Sequence, residues 1–115
     1  MAIAETAGVE TVGTTEWSLT TDTAGPDADT TDCIMQALVD LSAMAGGDEF
    51  RIRIYEKVQG AGDTQRVAYQ ANMVGPQSPP LWASPSLILM HGWDVTVTKI
   101  AGTDRLIGWS IRKVS

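Results

Sequence analysis

The chain has 115 residues, which suffices for one domain with a single hydrophobic core. Its formal net charge of −6 weighs against surfaces that bind nucleic acid or anionic membranes, because such surfaces bind mainly through Lys and Arg. A lone cysteine, Cys33, excludes an internal disulfide framework and favours folding in a reducing compartment.

The first fourteen residues have little hydrophobic pattern, with Ile3, Val9 and Val12 as apolar anchors. We interpret residues 1–14 as an extended arm and residues 15–115 as the folded domain. The arm has little charge and contains Thr and Val, which favours its addition as a strand to a neighbouring subunit. It has neither a basic start nor a long apolar stretch, so we expect no signal peptide. No run in the sequence has the length and apolar character of a membrane-spanning helix.

The next segment combines a short strand with a loop. Residues 15–20 alternate, with Trp17 and Leu19 on one side, and predict a strand. Residues 21–32 have the Gly, Pro, Asp and Thr content of a loop. The spaced carboxylates from Asp22 to Asp32 are compatible with a calcium site, although the Gly and the distal Glu of an EF-hand loop are missing. The alternative is a solvated turn in which Asp and Thr cap backbone N–H groups.

Residues 33–44 fit two interpretations. As a helix, the segment has good helix formers and apolar residues near helical spacing. As a strand, alternate residues from position 33 to position 41 form an unbroken apolar side. We favour a strand through Leu41, followed by a helical turn from Ser42 that ends at Gly46-Gly47.

The middle of the chain predicts a hairpin followed by an irregular segment. The alternating stretches at 50–58 and 65–74 are joined by the Gly-rich turn at 59–64. That turn contains Gly60-Ala61-Gly62 but no following helix or Lys, so it is not a phosphate-binding loop. Residues 75–86 are rich in proline and cannot form a central strand.

The last third of the chain again has the pattern of strands. Short strands are predicted at 87–90 and 93–100, and a final strand carries Ile107, Trp109 and Ile111 on one side. Six or seven short strands at near-regular spacing predict an all-β, small antiparallel β-sandwich without βαβ units.

The sequence offers little for catalysis. His91 is the only histidine, so a His-rich metal site or a His-based triad is not expected, and we place His91 at a strand end or turn. We therefore expect no enzyme activity, no cofactor and no bound metal.

A stiff apolar loop is the stronger functional candidate. In the proline-rich segment at residues 76–85, Pro79 and Pro80 are followed directly by Leu81 and Trp82. A rigid apolar loop of this kind loses little entropy when it docks on a partner, and tryptophan is favoured at interfaces. In the alternative, Trp82 folds back and caps the open end of the sandwich. Together with the arm, this loop gives the predicted protein-interface residues, which are Val9, Val12, Trp17, Pro79, Pro80, Leu81 and Trp82.

Two stretches resemble a known family. Residues 37–58 contain a strand ending in Asp-Leu-Ser, then a turn, then Gly-Asp and an alternating strand. Together with residues 87–114, this pattern resembles the small capsid decoration (cement) proteins of tailed bacteriophages. The resemblance implies a jelly-roll-like β-sandwich with an N-terminal arm. It also implies docking on the outside of the assembled capsid lattice.

The resemblance further implies which partners to expect. These would be the major capsid protein and copies of the chain itself, as a trimer or dimer, with no nucleic acid and no membrane. The protein would be made in the host cytoplasm and reside on the capsid exterior. The alternatives are another virion part, such as a fibre, baseplate or neck module, and a carbohydrate-binding module that stacks sugars on Trp82 or Trp93.

Overall fold

The computed structural model describes residues 2–115, in which all regular secondary structure is β-strand. No helix in this part of the chain has the length and hydropathy required to cross a membrane. The ten strands in chain order are β1 Ile3–Val12, β2 Trp17–Ser18, β3 Thr23–Ala24, β4 Cys33–Asp40, β5 Glu49–Glu56, β6 Arg66–Val74, β7 Leu81–Ala83, β8 Leu87–Leu89, β9 Asp94–Ala101 and β10 Arg105–Val114.

The strands form two antiparallel sheets. Sheet 1 has the order β1-β10-β4-β7, with β8 also paired to β4, and sheet 2 has the order β3-β2-β9-β5-β6. The pairs are nested along the chain: β1 pairs with β10, β2 with β9, β4 with β7 and β8, and β5 with β6. A long hairpin wound around the core produces this nesting, which is the connectivity of a jelly roll. The predicted all-β sandwich is confirmed.

Sheet 1 supplies one half of the core through the alternation of its side chains. Along β4, Cys33, Met35, Ala37 and Val39 are buried and the residues between them are more exposed. This period of two is that of a strand, so the strand interpretation of residues 33–41 is confirmed. The buried side chains of β10 are Ile107, Trp109 and Ile111.

Sheet 2 closes the core from the opposite side. Its central strands, β5 and β9, each turn an apolar side inward. Their fully buried apolar side chains are Phe50, Ile52, Ile54, Val95 and Val97. Trp93 precedes β9 and is also fully buried, and its indole N–H donates to the carbonyl of Thr31 at 2.8 Å. The core therefore joins both sheets into one unit.

The expected extended N-terminal arm is not confirmed. Residues 3–12 form β1, which pairs with β10 at ten consecutive positions and is an edge strand of sheet 1. Val12, predicted as an arm residue, is buried in the core. Packing explains this placement, because the inward side of β1 covers Trp109 and the loss of that cover would expose the indole. Residue 1 lies outside the described part.

The connection from β4 to β5 has turns where a helical turn was expected. The N–H of Met44 donates to the carbonyl of Leu41, and that of Asp48 donates to the carbonyl of Ala45. The helical interpretation of residues 42–47 is therefore wrong. Asp48 follows the second turn and is buried, and its carboxylate accepts from the N–H of Ala45 in the same connection and from the N–H of Thr103 before β10.

The proline-rich segment lies at the margin of sheet 1. Its one strand, β7, has three residues and pairs only with β4, so the prediction that residues 75–86 form no central strand is confirmed. Besides β1, two short elements were missed at the level of sequence, namely this strand and the two-residue β3. Both are held by pairing with a neighbour rather than by a hydrophobic pattern of their own.

Candidate docking surface

The side of sheet 1 that points away from sheet 2 is the candidate functional site, called the outer face below. It is built from alternate residues of β1, β10, β4, β7 and β8. Because directly opposite residues of antiparallel strands point to the same side, the register defines rows of side chains that cross the sheet.

One row is aliphatic across the whole width of the sheet. Ile3 pairs with Val114, Val114 with Ile34, and Ile34 with Ile88. Ile3 is 66% exposed, Ile34 47% and Ile88 76%. Scattered apolar residues are common on protein surfaces, but a contiguous row of this kind is typical of an interaction site. We call these four residues the aliphatic row.

The next row towards the centre of the sheet is polar. It consists of Glu5, Arg112 and Gln36, which are paired in register on β1, β10 and β4. Glu5 also accepts a hydrogen bond from the hydroxyl of Ser110. This row gives the outer face one polar stripe with both signs of charge.

Two further rows consist of small or apolar residues, apart from the exposed Asp40. Ala7, Ser110, Leu38 and Ala83 share the third row; Val9, Gly108, Asp40 and Leu81 share the fourth. Gly108 has no side chain, so the face is hollowed there into a depression of about 350 Å³. Leu38 and Leu81 are among the residues that border this depression. The outer face thus offers both protruding aliphatic groups and a shallow recess.

The corresponding side of sheet 2 is more polar, and several of its side chains bond to one another, although Arg51 Nε and Thr98 Oγ1 are buried there without a partner. Arg53 donates to Gln70 at 2.8 Å, and Asn72 donates to Glu49 at 3.0 Å. Val67 and Val74 are also exposed on this side, but they lie in separate rows, whereas the exposed aliphatic residues of sheet 1 share one row. This alignment makes sheet 1 the candidate side for a partner.

Two of the predicted interface residues lie on the outer face. Val9 is exposed and shares a row with Leu81, which is also exposed, at the opposite edge of the sheet. Pro79 and Pro80 are exposed and immediately precede Leu81. Val12 is buried, so it cannot contact a partner without unfolding of β1.

The two predicted interface tryptophans have intramolecular partners instead. Trp17 is half-buried against the core, and its indole N–H donates to Asp22 at 3.0 Å. Trp82 is half-buried against the core and lies 6.4 Å from Tyr69, centroid to centroid, with the rings tilted by 38°. Trp93 is fully buried and has no ring face to offer a sugar. The alternative in which Trp82 folds back on the sandwich agrees with this placement.

The carboxylates of residues 22–32 do not converge. Asp27 accepts hydrogen bonds from Thr21 and Thr23, which hold its pKa below the usual range. Asp29 instead pairs with Lys113 at 3.1 Å. Within residues 2–115 no group of three or more acidic, His or Cys side chains has the spacing of a metal site.

The most buried carboxylate belongs to Asp94. It accepts hydrogen bonds from the hydroxyls of Ser18 and Thr20 and from the N–H of Asp27. Burial raises the pKa of Asp94, and these donors partly oppose that rise. These donors lie in β2, in the turn after β2 and in the loop between β3 and β4, so Asp94 ties all three segments to the start of β9.

His91 lies in the turn between β8 and β9, as the sequence predicted, and has a positive φ of 69°. Comparisons with protein-family models, with curated proteins and with solved structures found no match. The outer face must therefore be interpreted from its own geometry.

Proposed function

We propose that this chain is a structural virion protein of the capsid decoration type, which acts by binding and not by catalysis. It would dock the outer face of sheet 1 on the exterior of an assembled capsid lattice. The observation that carries the proposal is the aliphatic row, an exposed apolar line across a sheet that has no second layer on that side. The partner would be the major capsid protein.

The size of the outer face supports a partner with many identical sites. Sheet 1 is four strands wide, because β7 and β8 share the position beside β4. At about 4.8 Å spacing and the roughly nine-residue length of β1, β10 and β4, it presents about 600 Å². A stable complex usually buries about 800 Å² on each partner, so one copy would bind weakly on its own. A lattice presents many identical sites, so two or more linked copies of the chain can bind at the same time. Linked copies bind with far greater avidity than a single copy.

The mechanism of stabilisation is mass action. A protein that binds the assembled lattice but not the separated subunits shifts the equilibrium towards the lattice. The acidic net charge of −6 suits a position on the capsid exterior, where no contact with the packaged nucleic acid is needed. The rigid sandwich loses little conformational entropy on docking, because the outer face is built on paired strands rather than on loops.

The test compares particles with and without the protein. Capsids that lack the protein are heated or osmotically shocked, and survival is measured before and after the purified chain is added. The proposal expects greater survival with the protein bound. Equal survival would contradict the cementing role. Locating the added density on the particle distinguishes a lattice position from the tail or neck, which a fibre or baseplate component would occupy.

A further inference from the structure

The free edge of β1 is the second surface of interest, and it is separate from the outer face. A sheet edge presents unpaired N–H and C=O groups and is a template for another strand unless it is short, bulged or covered. The other edge strands are less suited to pairing with a further strand. β3 has two residues, and β7 and β8 have three each. β6 is longer, but its pairing with β5 shifts register between Ile54 and Tyr55 of β5. In contrast, β1 pairs regularly over ten residues and contains no Pro, Lys or Arg.

The hydrogen bonds of sheet 1 identify which groups of β1 are open. Ala37 points its backbone groups towards the β7 and β8 side of β4: its carbonyl accepts from the N–H of Ser84, and its N–H donates to the hydroxyl of Ser84. Because the bonding side alternates along antiparallel strands, the even-numbered residues of β1 bond to β10 and the odd-numbered residues point outward. Thr11 agrees with this assignment, since its N–H donates to the side chain of Glu10 at 3.0 Å and not to β10.

The open positions are therefore Ile3, Glu5, Ala7, Val9 and Thr11, with Thr11 open only at its carbonyl because the side chain of Glu10 accepts its N–H. We propose that β1 pairs with β1 of a second copy of this chain, antiparallel about a two-fold axis at Ala7. In that register Ile3 faces Thr11 of the second copy, and Glu5 faces Val9. It is the register that matches every open position of one copy with an open position of the other.

Side chains favour the same register. Antiparallel self-pairing places Glu5 beside Val9 and Glu10 beside Ala4, so no two carboxylates are directly opposite each other. Ala7 meets its own copy at the axis, where a small side chain permits close approach. An isologous contact of this kind closes as a dimer and does not continue into a fibre.

The pairing would also enlarge the docking surface. A two-fold axis perpendicular to the sheet keeps both outer faces on one side, which gives about 1,200 Å² of continuous surface. This area exceeds the approximately 800 Å² that a standard complex buries on each partner. The dimer goes beyond the proposed capsid role, since it would form in solution without any capsid.

The test is the mass of the full chain by sedimentation, from low to high micromolar concentration. We expect twice the chain mass of 12.3 kDa for the unaltered protein. Ala7→Pro and Ala7→Lys should both be monomeric. The N–H that proline removes is not part of the β10 pairing, and two lysines would meet at the axis. Ala83→Lys, in the same row at the opposite edge, is the matched control and should remain a dimer.

The proposal is overturned if the unaltered chain remains monomeric, if both Ala7 variants dimerise as it does, or if Ala83→Lys is equally monomeric. The register of the proposed β1–β1 pairing can be tested separately in a Cys33→Ala background. Ala7→Cys should form a disulfide-linked dimer under mild oxidation, whereas Thr11→Cys should not. Cross-linking by Thr11→Cys alone would contradict the axis at Ala7. Capsid binding by a monomeric chain would leave the docking proposal intact while removing the dimer.

Discussion

Gly8 of β1 lies directly opposite Trp109 of β10, and a side chain at Gly8 would have its Cβ only 2.6 Å from the indole Cζ2. The two residues share the inward side of sheet 1, so Trp109 occupies the space that a larger residue at position 8 would need. This contact makes the N-terminal segment a part of the sandwich rather than an appendage.

Replacement of Gly8 by valine should destabilise the protein. The added carbons would collide with Trp109 and push β1 away from the sheet, at a cost of about 1–3 kcal/mol in the free energy of unfolding. Ala4→Val is the control, because Ala4 lies on the same side of the same strand but is exposed. Urea denaturation of both variants measures the difference. Equal stability of the two would show that β1 does not depend on its fit to Trp109.

Asp48 holds together the turn after β4 and the start of β10. Its carboxylate accepts from Arg105 Nε at 2.7 Å and from the backbone N–H groups of Ala45 and Thr103. These donors lower the pKa of Asp48 from 3.8 to about 2. Gly102 permits the approach, since its φ is +93° and a Cβ there would lie 2.2 Å from the Asp48 carboxylate.

The stability conferred by Asp48 should depend on pH. Because its pKa is lower in the folded state, the carboxylate stabilises the fold fully above about pH 4 and progressively less as the pH falls towards 2. Asp48→Asn should therefore lower the denaturation midpoint at neutral pH, and the gap to the unaltered protein should narrow in acid. Asp104→Asn, at an exposed pair with Lys99, should have a smaller effect. A gap that stays constant from neutral pH down to about pH 2 would contradict this role.

Cys33 should react slowly with alkylating reagents while the protein is folded. It is buried on the inward side of β4, and burial raises the pKa of its thiol, which lowers the fraction of reactive thiolate. The rate of labelling should rise steeply in denaturant. Ser86→Cys in a Cys33→Ala background provides an exposed thiol for comparison. Labelling of Cys33 at the rate of this exposed thiol would mean that β4 is not stably paired.

The sequence predicts the interior of this fold better than its edges. Alternation at β4 and β5 identified strands because the core requires one buried side from each of them. The same logic failed at the N-terminal segment. Among its described residues, 2–14, Val12 is the only buried one, and a small residue such as Gly8 carries no apolar signal. Gly8 is informative only once Trp109 is known to lie opposite it.

The docking surface was predictable only in part. The sequence placed Ile34 on the side of β4 opposite the core, but no local pattern connects it with Ile3, Val114 and Ile88. These residues come from four strands, and their alignment depends on the register of pairing between segments far apart in the chain. Tryptophan content pointed instead to Trp17 and Trp82, which their intramolecular contacts hold against the core.

The most direct test of the central claim is binding of outer-face variants to purified capsids that lack the protein. Ile88→Asp places a charge in the aliphatic row, and Val58→Asp places one outside that row, on the connection between β5 and β6, at an equally exposed site, since both residues are 76% exposed. Cosedimentation should show at least about tenfold weaker binding for Ile88→Asp, because a desolvated charge costs more than about 1.4 kcal/mol. Val58→Asp should bind like the unaltered protein. Equal binding of all three proteins would contradict docking through the outer face of sheet 1.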